Sequence, residues 1–193
     1  LVVAADVARY EPGSAAEGTM GAGAVAMVVG TPDVAAIDLQ SHAWSAPAWD
    51  FWRPVGEAYP RVDGKLSLDC YNEAVVHTYQ AWAGAGRVAG AVEGLRAACF
   101  HVPFPKMVRK AFTALAEAEG WSEIDAANRW ERLVAPTMMW NQEVGNAYTA
   151  SLWIAVARAL VGASAGERLA AFSYGSGFGS ELLLLSAGPA AAA

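Results

Sequence analysis

Residues 168–185, RLAAFSYGSGFGSELLLL, contain two apolar runs on either side of a glycine-rich turn. Short apolar runs that are bounded by turn residues are typical of buried strands. Glycine tolerates the backbone conformations that a tight reversal requires. This stretch therefore predicts a strand, a glycine loop and a second strand.

Helical periodicity is found upstream of this stretch. Val108, Ala111, Phe112 and Leu115 recur at the i, i+3, i+4 and i+7 spacing of one helical face, and Pro105 suits a first helical position. Further helices are predicted over residues 66–82, 122–134 and 147–161. In the first of these, one side is formed by Leu66, Cys70, Val75 and Tyr79.

Strand patterns alternate with these helices. Residues 1–5 (LVVAA) and 21–30 (GAGAVAMVVG) are predicted to be buried strands, and the glycines of the second indicate that another backbone approaches closely. A short strand is predicted for RAACF at 96–100, which follows glycines at 84, 86, 90 and 94. Residues 31–64, rich in Pro, Trp and Asp, are predicted to be an irregular connection. The fold class is therefore mixed α/β.

Composition excludes several kinds of protein. A chain of 193 residues can bury the core of one domain, and its net charge of −6 argues against nucleic acid or an anionic membrane as the main partner. It has no apolar run of the roughly 20 residues that cross a membrane. The two cysteines, Cys70 and Cys99, are expected to pack as small hydrophobic residues, which favours a reducing, cytoplasmic setting. The glycine clusters lack dinucleotide-binding spacing, and we expect no cofactor and no metal site.

Three residues are candidates for chemistry. His101, between a predicted strand and a predicted helix, either hydrogen-bonds a substrate carbonyl and gives its oxygen a proton, or is a satisfied loop histidine. Asn146, before a predicted helix, either caps that helix or points its amide at a thioester. Ser176 lies in a turn whose backbone N–H groups suit an oxyanion hole, although a plain glycine turn is the alternative.

Lys106 and Lys110 lie four residues apart and share a face of the helix predicted after His101. With Arg109 they form a positive patch in an acidic chain. Such a patch beside a helix N-terminus is either a phosphate site or a solvated face.

Taken in order, the segments resemble one family. DVARY…GTMGAGAVAM, DFWRP, YPRVDGKLS, FHVPFPKMVRKAF, VGNAYTASL and FSYGSG resemble bacterial 3-hydroxy-3-methylglutaryl-CoA synthase, of the thiolase superfamily, from about residue 1 to about residue 180. The resemblance implies a thiolase-like layered fold and the condensation of acetyl-CoA with acetoacetyl-CoA in the mevalonate pathway. In that reaction a cysteine is acetylated, a glutamate removes a methyl proton, and the carbanion attacks the acceptor ketone.

The resemblance also assigns residues. It implies that His101 anchors and polarises the acetoacetyl group, that Asn146 lies near the thioester, and that the Ser176 loop helps to bind the acyl oxygen. The residues that it implies for CoA contact, the lining of the substrate site or proximity to it are Lys106, Lys110, Tyr10, Thr19, Ser67, Asp6 and Asp50.

The family's nucleophilic cysteine and its general-base glutamate have no matching residue in this sequence. Residues 1–193 are therefore expected to form the C-terminal portion of the thiolase-like fold, without the N-terminal part that carries the cysteine. Such a chain should not complete the reaction alone. It is expected to act as a homodimer or together with an N-terminal part.

Two alternatives stay open. A polyketide-pathway relative would add a branch to carrier-bound β-ketoacyl chains, and paired lysines favour free CoA over such a carrier. A non-catalytic scaffold, or a subunit of a split enzyme, would also lack the nucleophile. The joint presence of His101, Asn146 and SYGSG argues against a pure scaffold.

Overall fold

The structure is a computed structural model that describes residues 1–85 and 92–191. Its helices are α1 (Gly64–Gly84), α2 (Pro105–Ala118), α3 (Glu123–Arg129), α4 (Met139–Val144) and α5 (Thr149–Leu160). Its strands are β1 (Val2–Val7), β2 (Ala22–Met27), β3 (Ala35–Ile37), β4 (His42–Ser45), β5 (Phe51–Trp52), β6 (Arg61–Val62), β7 (Leu95–Phe100), β8 (Arg168–Gly175) and β9 (Gly179–Ala187). The predicted loop glycines 86 and 90 lie outside the described residues. Within the described ranges, no helix has both the length and the apolar character needed to cross a membrane.

The β8–β9 hairpin forms the middle of a five-stranded sheet in the order β3-β9-β8-β7, with β4 also paired to β9. Its antiparallel register runs from Arg168 opposite Ser186 to Gly175 opposite Gly179. β7 lies parallel to β8. The prediction of strand, glycine loop and strand for residues 168–185 is confirmed.

Helices cover both faces of this sheet. Along β8, Phe172 and Tyr174 point into the core that α1 and α2 cover, whereas Leu169 and Ala171 point into the core on the side of α5. Alternate residues of a strand point to opposite faces, so one strand contributes to both cores. The layered α/β architecture predicted from the sequence is confirmed.

The predicted apolar face of α2 is also confirmed. Val108, Ala111, Phe112 and Leu115 are all buried, and Pro105 occupies the first turn. α1 extends slightly beyond its predicted range and is capped by Asp63. On the predicted side of α1, Cys70 and Val75 are buried, whereas Leu66 in the first turn is 38% exposed.

β1 and β2 form a separate antiparallel ribbon. Only the face around Ala4 and Val25 packs, against Ala147 just before α5 and against Ala150 and Ile154 within it. The remaining positions of the ribbon are largely exposed, so the predicted strands are confirmed but their predicted burial is wrong. The physical reason is that a two-stranded ribbon has a single neighbouring layer here.

The prediction of an irregular connection over residues 31–64 needs correction. This stretch contains β3, β4, β5 and β6, each of which has four residues or fewer. Strands this short do not establish a periodic pattern in the sequence, and their pairing with other strands decides their conformation. β3 and β4 extend the main sheet through β9.

The ribbon is attached to the loop before α5 by close backbone contact. The N–H of Asn146 donates to the carbonyl of Thr19 at 3.0 Å. A Cβ atom on Gly21 would lie 2.5 Å from the carbonyl carbon of Gly145 and 2.6 Å from the nitrogen of Asn146. Gly145 has φ +77°, a conformation that glycine adopts readily. The predicted close approach at the 21–30 glycines is confirmed.

Replacing Gly21 with alanine should destabilise the protein by about 1–3 kcal/mol, because the added methyl group would press against backbone that cannot give way. Urea unfolding at pH 7 measures this change. Gly18→Ala is the matched control, since nothing lies within 4 Å of the Cβ position there and its stability should stay near that of the wild type. Equal stability of the two variants would contradict the close backbone contact between Gly21 and the loop before α5.

Candidate functional site

The backbone of His101 is fixed from two sides at the carboxyl end of β7. Its N–H donates to the carbonyl of Phe172 in β8 at 2.8 Å. Its carbonyl accepts a hydrogen bond from the hydroxyl of Tyr71 in α1 at 2.6 Å, and Tyr71 is fully buried. The sheet and α1 therefore fix the point from which the imidazole projects.

The imidazole is held by side chains of two further elements. Its Nδ1 lies 3.0 Å from the hydroxyl oxygen of Ser151 in α5, and the ring stacks on Tyr174 with centroids 6.3 Å apart. Burial lowers the pKa of His101 from 6.5 to about 4, although a hydrogen bond to the backbone carbonyl of Tyr148 acts in the opposite direction. The imidazole is therefore neutral at physiological pH.

Asn146 is buried and both ends of its amide are engaged. The Nδ2 group donates to the hydroxyl of Tyr10 at 2.9 Å, and Oδ1 accepts from the N–H of Tyr148 at 2.9 Å. The residue that flanks the start of α5 is Tyr148, not Asn146. Asn146 therefore stabilises the turn ahead of the helix without being its cap residue.

The peptide backbone of Tyr148 connects the histidine side of the site to the asparagine side. Its N–H is held by Asn146, and its carbonyl accepts from the hydroxyl of Ser151 at 2.7 Å and from the backbone N–H of Ser151 at 3.0 Å. The same carbonyl interacts with the His101 imidazole. Tyr148 has φ +45°, which is uncommon outside glycine and clusters at functional sites.

Aromatic rings line the asparagine side. Tyr10 is buried and contacts Phe51 edge-on at 6.2 Å, while Phe51 lies 6.3 Å from the ring of Tyr148. Burial raises the pKa of Tyr148, and Tyr10 and the charge of Asp6 raise it further, so its phenol stays protonated. The predicted neighbours Tyr10 and Asp6 are thus brought to the same place.

Asp50 is a fully buried carboxylate that contacts Tyr174, the residue whose ring stacks on His101. Its Oδ2 accepts from the hydroxyls of Tyr174 at 3.2 Å and Ser176 at 2.9 Å, and its Oδ1 accepts from the N–H of Gly177 at 3.2 Å. Burial and the neighbouring charge of Asp50 raise the pKa of Tyr174. Because Asp50 already binds the N–H of Gly177, that donor is not free to hold an acyl oxygen, and the role of Ser176 there stays a prediction.

The other predicted binding residues lie on several different elements. The carbonyl of Thr19 holds the N–H of Asn146, and half-buried Ser67 is in the first turn of α1. Lys106 and Lys110 are exposed on α2, and they form no ion pair within the described part of the chain. Arg109 lies over the ring of Trp130 at 4.4 Å. The two lysines are thus exposed cations on α2.

Residues that sequence reasoning missed complete the network. Tyr71 binds the carbonyl of His101 and Tyr174 stacks on its ring. Tyr148 and Ser151 connect His101 to Asn146. The one available signal was the serine three residues into the helix after Tyr148, since a serine hydroxyl often bonds a carbonyl of the preceding turn. Nothing in the sequence indicated that the backbone of Tyr148 would contact both the His101 side and the Asn146 side of the site.

Both cysteines lie in environments that disfavour the thiolate. Burial raises the pKa of Cys99 to about 12, and burial together with the charge of Asp50 raises that of Cys70. Both side chains are buried, as predicted. His77, which is on α1, stacks on Trp44 with centroids 4.4 Å apart. Within residues 1–85 and 92–191, no group of three or more ligating side chains could hold a metal ion.

The layered sheet, with its site at the carboxyl end of β7, is a thiolase-like α/β fold. A sequence model described as "Hydroxymethylglutaryl-coenzyme A synthase C terminal" matches residues 37–123 and 119–188. The chain belongs to the hydroxymethylglutaryl-CoA synthase family.

Known relatives support this membership. The hydroxymethylglutaryl-CoA synthase of Enterococcus faecalis is 37% identical over 185 residues, which cover 92% of this chain and 46% of the relative. MvaS in complex with 3-hydroxy-3-methylglutaryl coenzyme A superposes with a TM-score of 0.87 at 38% identity, covering 99% of this chain and 52% of its own. The curacin pathway HMG synthase in complex with acetyl donor-ACP gives 0.88 at 28% identity, covering 98% and 48%. The chain thus spans about half the length of these relatives.

The depressed pKa of His101 makes stability depend on pH. The folded-state pKa of about 4 lies below the ordinary value of 6.5, so the unfolded chain binds the proton more tightly. The stability that depends on neutral His101 is complete above about pH 6.5 and is lost as the pH falls toward 4. The loss should reach about 3 kcal/mol in urea unfolding.

His101→Gln should remove this component, because glutamine does not titrate. The carboxylates common to both proteins cancel when the two pH profiles are subtracted. Parallel profiles between pH 7 and 4 would contradict the buried, neutral state of His101.

Proposed function

We propose that this chain provides the acceptor- and CoA-binding surface of a hydroxymethylglutaryl-CoA synthase that condenses acetyl-CoA with acetoacetyl-CoA. The observation that supports this best is the joint attachment of His101 and Asn146 to the peptide of Tyr148. Two polar side chains held rigidly around one point suit a small polar acyl group. The family membership supports the acetoacetyl group as the acyl group that binds there.

The reaction makes specific demands on the site. When a carbanion attacks the acceptor ketone, negative charge develops on the ketone oxygen and needs polar groups placed in advance. His101 and Asn146 are the groups that we assign to the acetoacetyl moiety. The hydroxyl groups of Tyr10 and Tyr148 add polar atoms beside them.

The acetyl group needs a reactive thiol and a base. Cys70 and Cys99 are buried and have raised pKa values, which makes them poor nucleophiles. We therefore assign both the nucleophilic cysteine and the glutamate base to sequence outside residues 1–193, either in a longer chain or in a complementing one.

The CoA phosphates need cations that face solvent. Lys106 and Lys110 lie on the exposed side of α2, whose first residue is Pro105, shortly after His101. The opposite side of α2 is anchored in the core by Val108 and Phe112. A thioester whose acyl end reaches His101 can thus place its phosphates along α2. With free CoA thioesters as substrates, the reaction belongs to cytoplasmic mevalonate synthesis.

A second candidate is a synthase that acts on carrier-bound β-ketoacyl chains in polyketide synthesis. The observation that favours it is the likeness to the curacin pathway enzyme, whose TM-score of 0.88 is similar to that of MvaS. A carrier protein delivers its phosphopantetheine arm without the nucleotide phosphates. Dependence on the two lysines for free CoA therefore separates the two candidates.

Isothermal titration calorimetry with CoA and acetoacetyl-CoA tests the proposal. The double variant Lys106→Gln/Lys110→Gln should weaken binding of both ligands about tenfold and reduce the salt dependence, because it removes the phosphate-binding charges. His101→Ala should weaken binding of acetoacetyl-CoA alone. Lys65→Gln, at the exposed start of α1, is the matched control and should bind like the wild type.

The outcomes distinguish the candidates. Binding of a β-ketoacyl carrier protein that is insensitive to the lysine changes would favour the polyketide role. Binding of CoA without any preference for the acetoacetyl group would contradict the assignment of His101. Absence of binding for all of these ligands would overturn the proposed function and leave a thiolase-like scaffold.

A further inference from the structure

The hydroxyl of Ser151 has three neighbours but only one proton. The N–H of Val102 donates to Oγ at 3.1 Å. The Tyr148 carbonyl lies 2.7 Å from Oγ, and Nδ1 of His101 lies 3.0 Å from it. Ser151 is fully buried, so water does not replace any of these partners. Which partner receives the serine proton decides where the imidazole carries its own.

Only one arrangement places a hydrogen in every close contact of Ser151 Oγ. A carbonyl oxygen cannot donate, so the short contact between Oγ and the Tyr148 carbonyl needs the serine proton between its two oxygens. Oγ then has its remaining lone pair directed at Nδ1 of His101, which must carry a hydrogen. In the opposite arrangement the serine proton points at Nδ1, and the two oxygens are left 2.7 Å apart with no hydrogen between them.

We propose that Ser151 is a positioning residue that fixes neutral His101 in the tautomer with its proton on Nδ1 and a free lone pair on Nε2. The assignment follows from the hydrogen-bond network. Nδ1 is on the side of Ser151, so Nε2 is the nitrogen left for a ligand.

This tautomer defines what the site can recognise, a consequence that rests on the proposed function. Neutral His101 accepts a hydrogen bond at Nε2 and does not donate one there. The ligand atom that approaches Nε2 must therefore carry a hydrogen, unless the ring takes up a proton at Nε2 first. In that charged form, Nε2 donates to a developing oxyanion while Ser151 continues to hold the Nδ1 proton.

Long-range ¹H–¹⁵N correlation spectra of the whole chain at pH 7, with ¹⁵N-labelled histidine, report the tautomer directly. The sequence has three histidines, and His101→Gln identifies the signals of His101. We expect a single pattern with protonated Nδ1 and unprotonated Nε2. A pattern with protonated Nε2 in the wild type would overturn the proposal without any variant being needed.

Ser151→Ala removes the acceptor and should raise the population of the tautomer protonated at Nε2. Ser151→Cys should act in the same direction and fills more of the buried volume, since sulfur is a weak acceptor. Ser164→Ala, at an exposed serine, should leave the wild-type pattern unchanged. An unchanged pattern in folded Ser151→Ala or Ser151→Cys would show that Ser151 does not position the ring.

Calorimetric titration of the same samples with acetoacetyl-CoA separates the two proposals. The expected tautomer without ligand binding would contradict the proposed function alone. Ligand binding with the proton on Nε2 would contradict the role of Ser151 alone.

Discussion

The backbone of Tyr148 is held at φ +45° by hydrogen bonds to its N–H and to its carbonyl, and the site is arranged around it. A non-glycine residue in this region costs about 1–3 kcal/mol, so the surrounding contacts must over-determine it. They do so from independent elements: Asn146 precedes the turn, Ser151 lies in α5, and His101 follows β7. The strained peptide is thus the point at which separate parts of the chain are brought into a common geometry.

The layers of the fold explain why this geometry is rigid. α5 packs on one side against the main sheet through Leu152 and Val156 and on the other side against the β1–β2 ribbon through Ile154. A helix enclosed on both sides has little freedom to shift, so the turn at its start is equally fixed. The same sheet positions His101, because β8 binds its N–H. Burial of the imidazole then makes it neutral, so packing determines the charge of the site as well as its shape.

Local sequence patterns predicted most of the elements. The spacing of Val108 to Leu115 and the glycine turn within residues 168–185 each specify their structure within a few residues. The short strands β3 and β4 and the exposure of the β1–β2 ribbon depend on partners far away in the chain, which periodicity does not report. The sequence therefore predicted the helices and strands better than it predicted which of their faces are buried.

The candidate site shows the same division. Motifs identified His101 and Asn146, and the structure places them on either side of one peptide. The connecting residues Tyr148 and Ser151 were missed because their function lies in backbone geometry and in the direction of one hydroxyl proton. Ser176 was identified as part of a turn, but a buried carboxylate distant in sequence, Asp50, determines what that turn binds.

The central claim is that the network around Tyr148 receives the acetoacetyl group of a CoA thioester. A crystal structure of this chain with acetoacetyl-CoA tests it most directly. We predict that an oxygen of the acetoacetyl group lies within about 3 Å of Nε2 of His101, a hydrogen-bond distance, where either the ligand oxygen or Nε2 carries the hydrogen. The phosphates should lie along α2 near Lys106 and Lys110. A ligand whose acyl group lies away from His101 and Asn146, with the Tyr148 network undisturbed, would contradict the account.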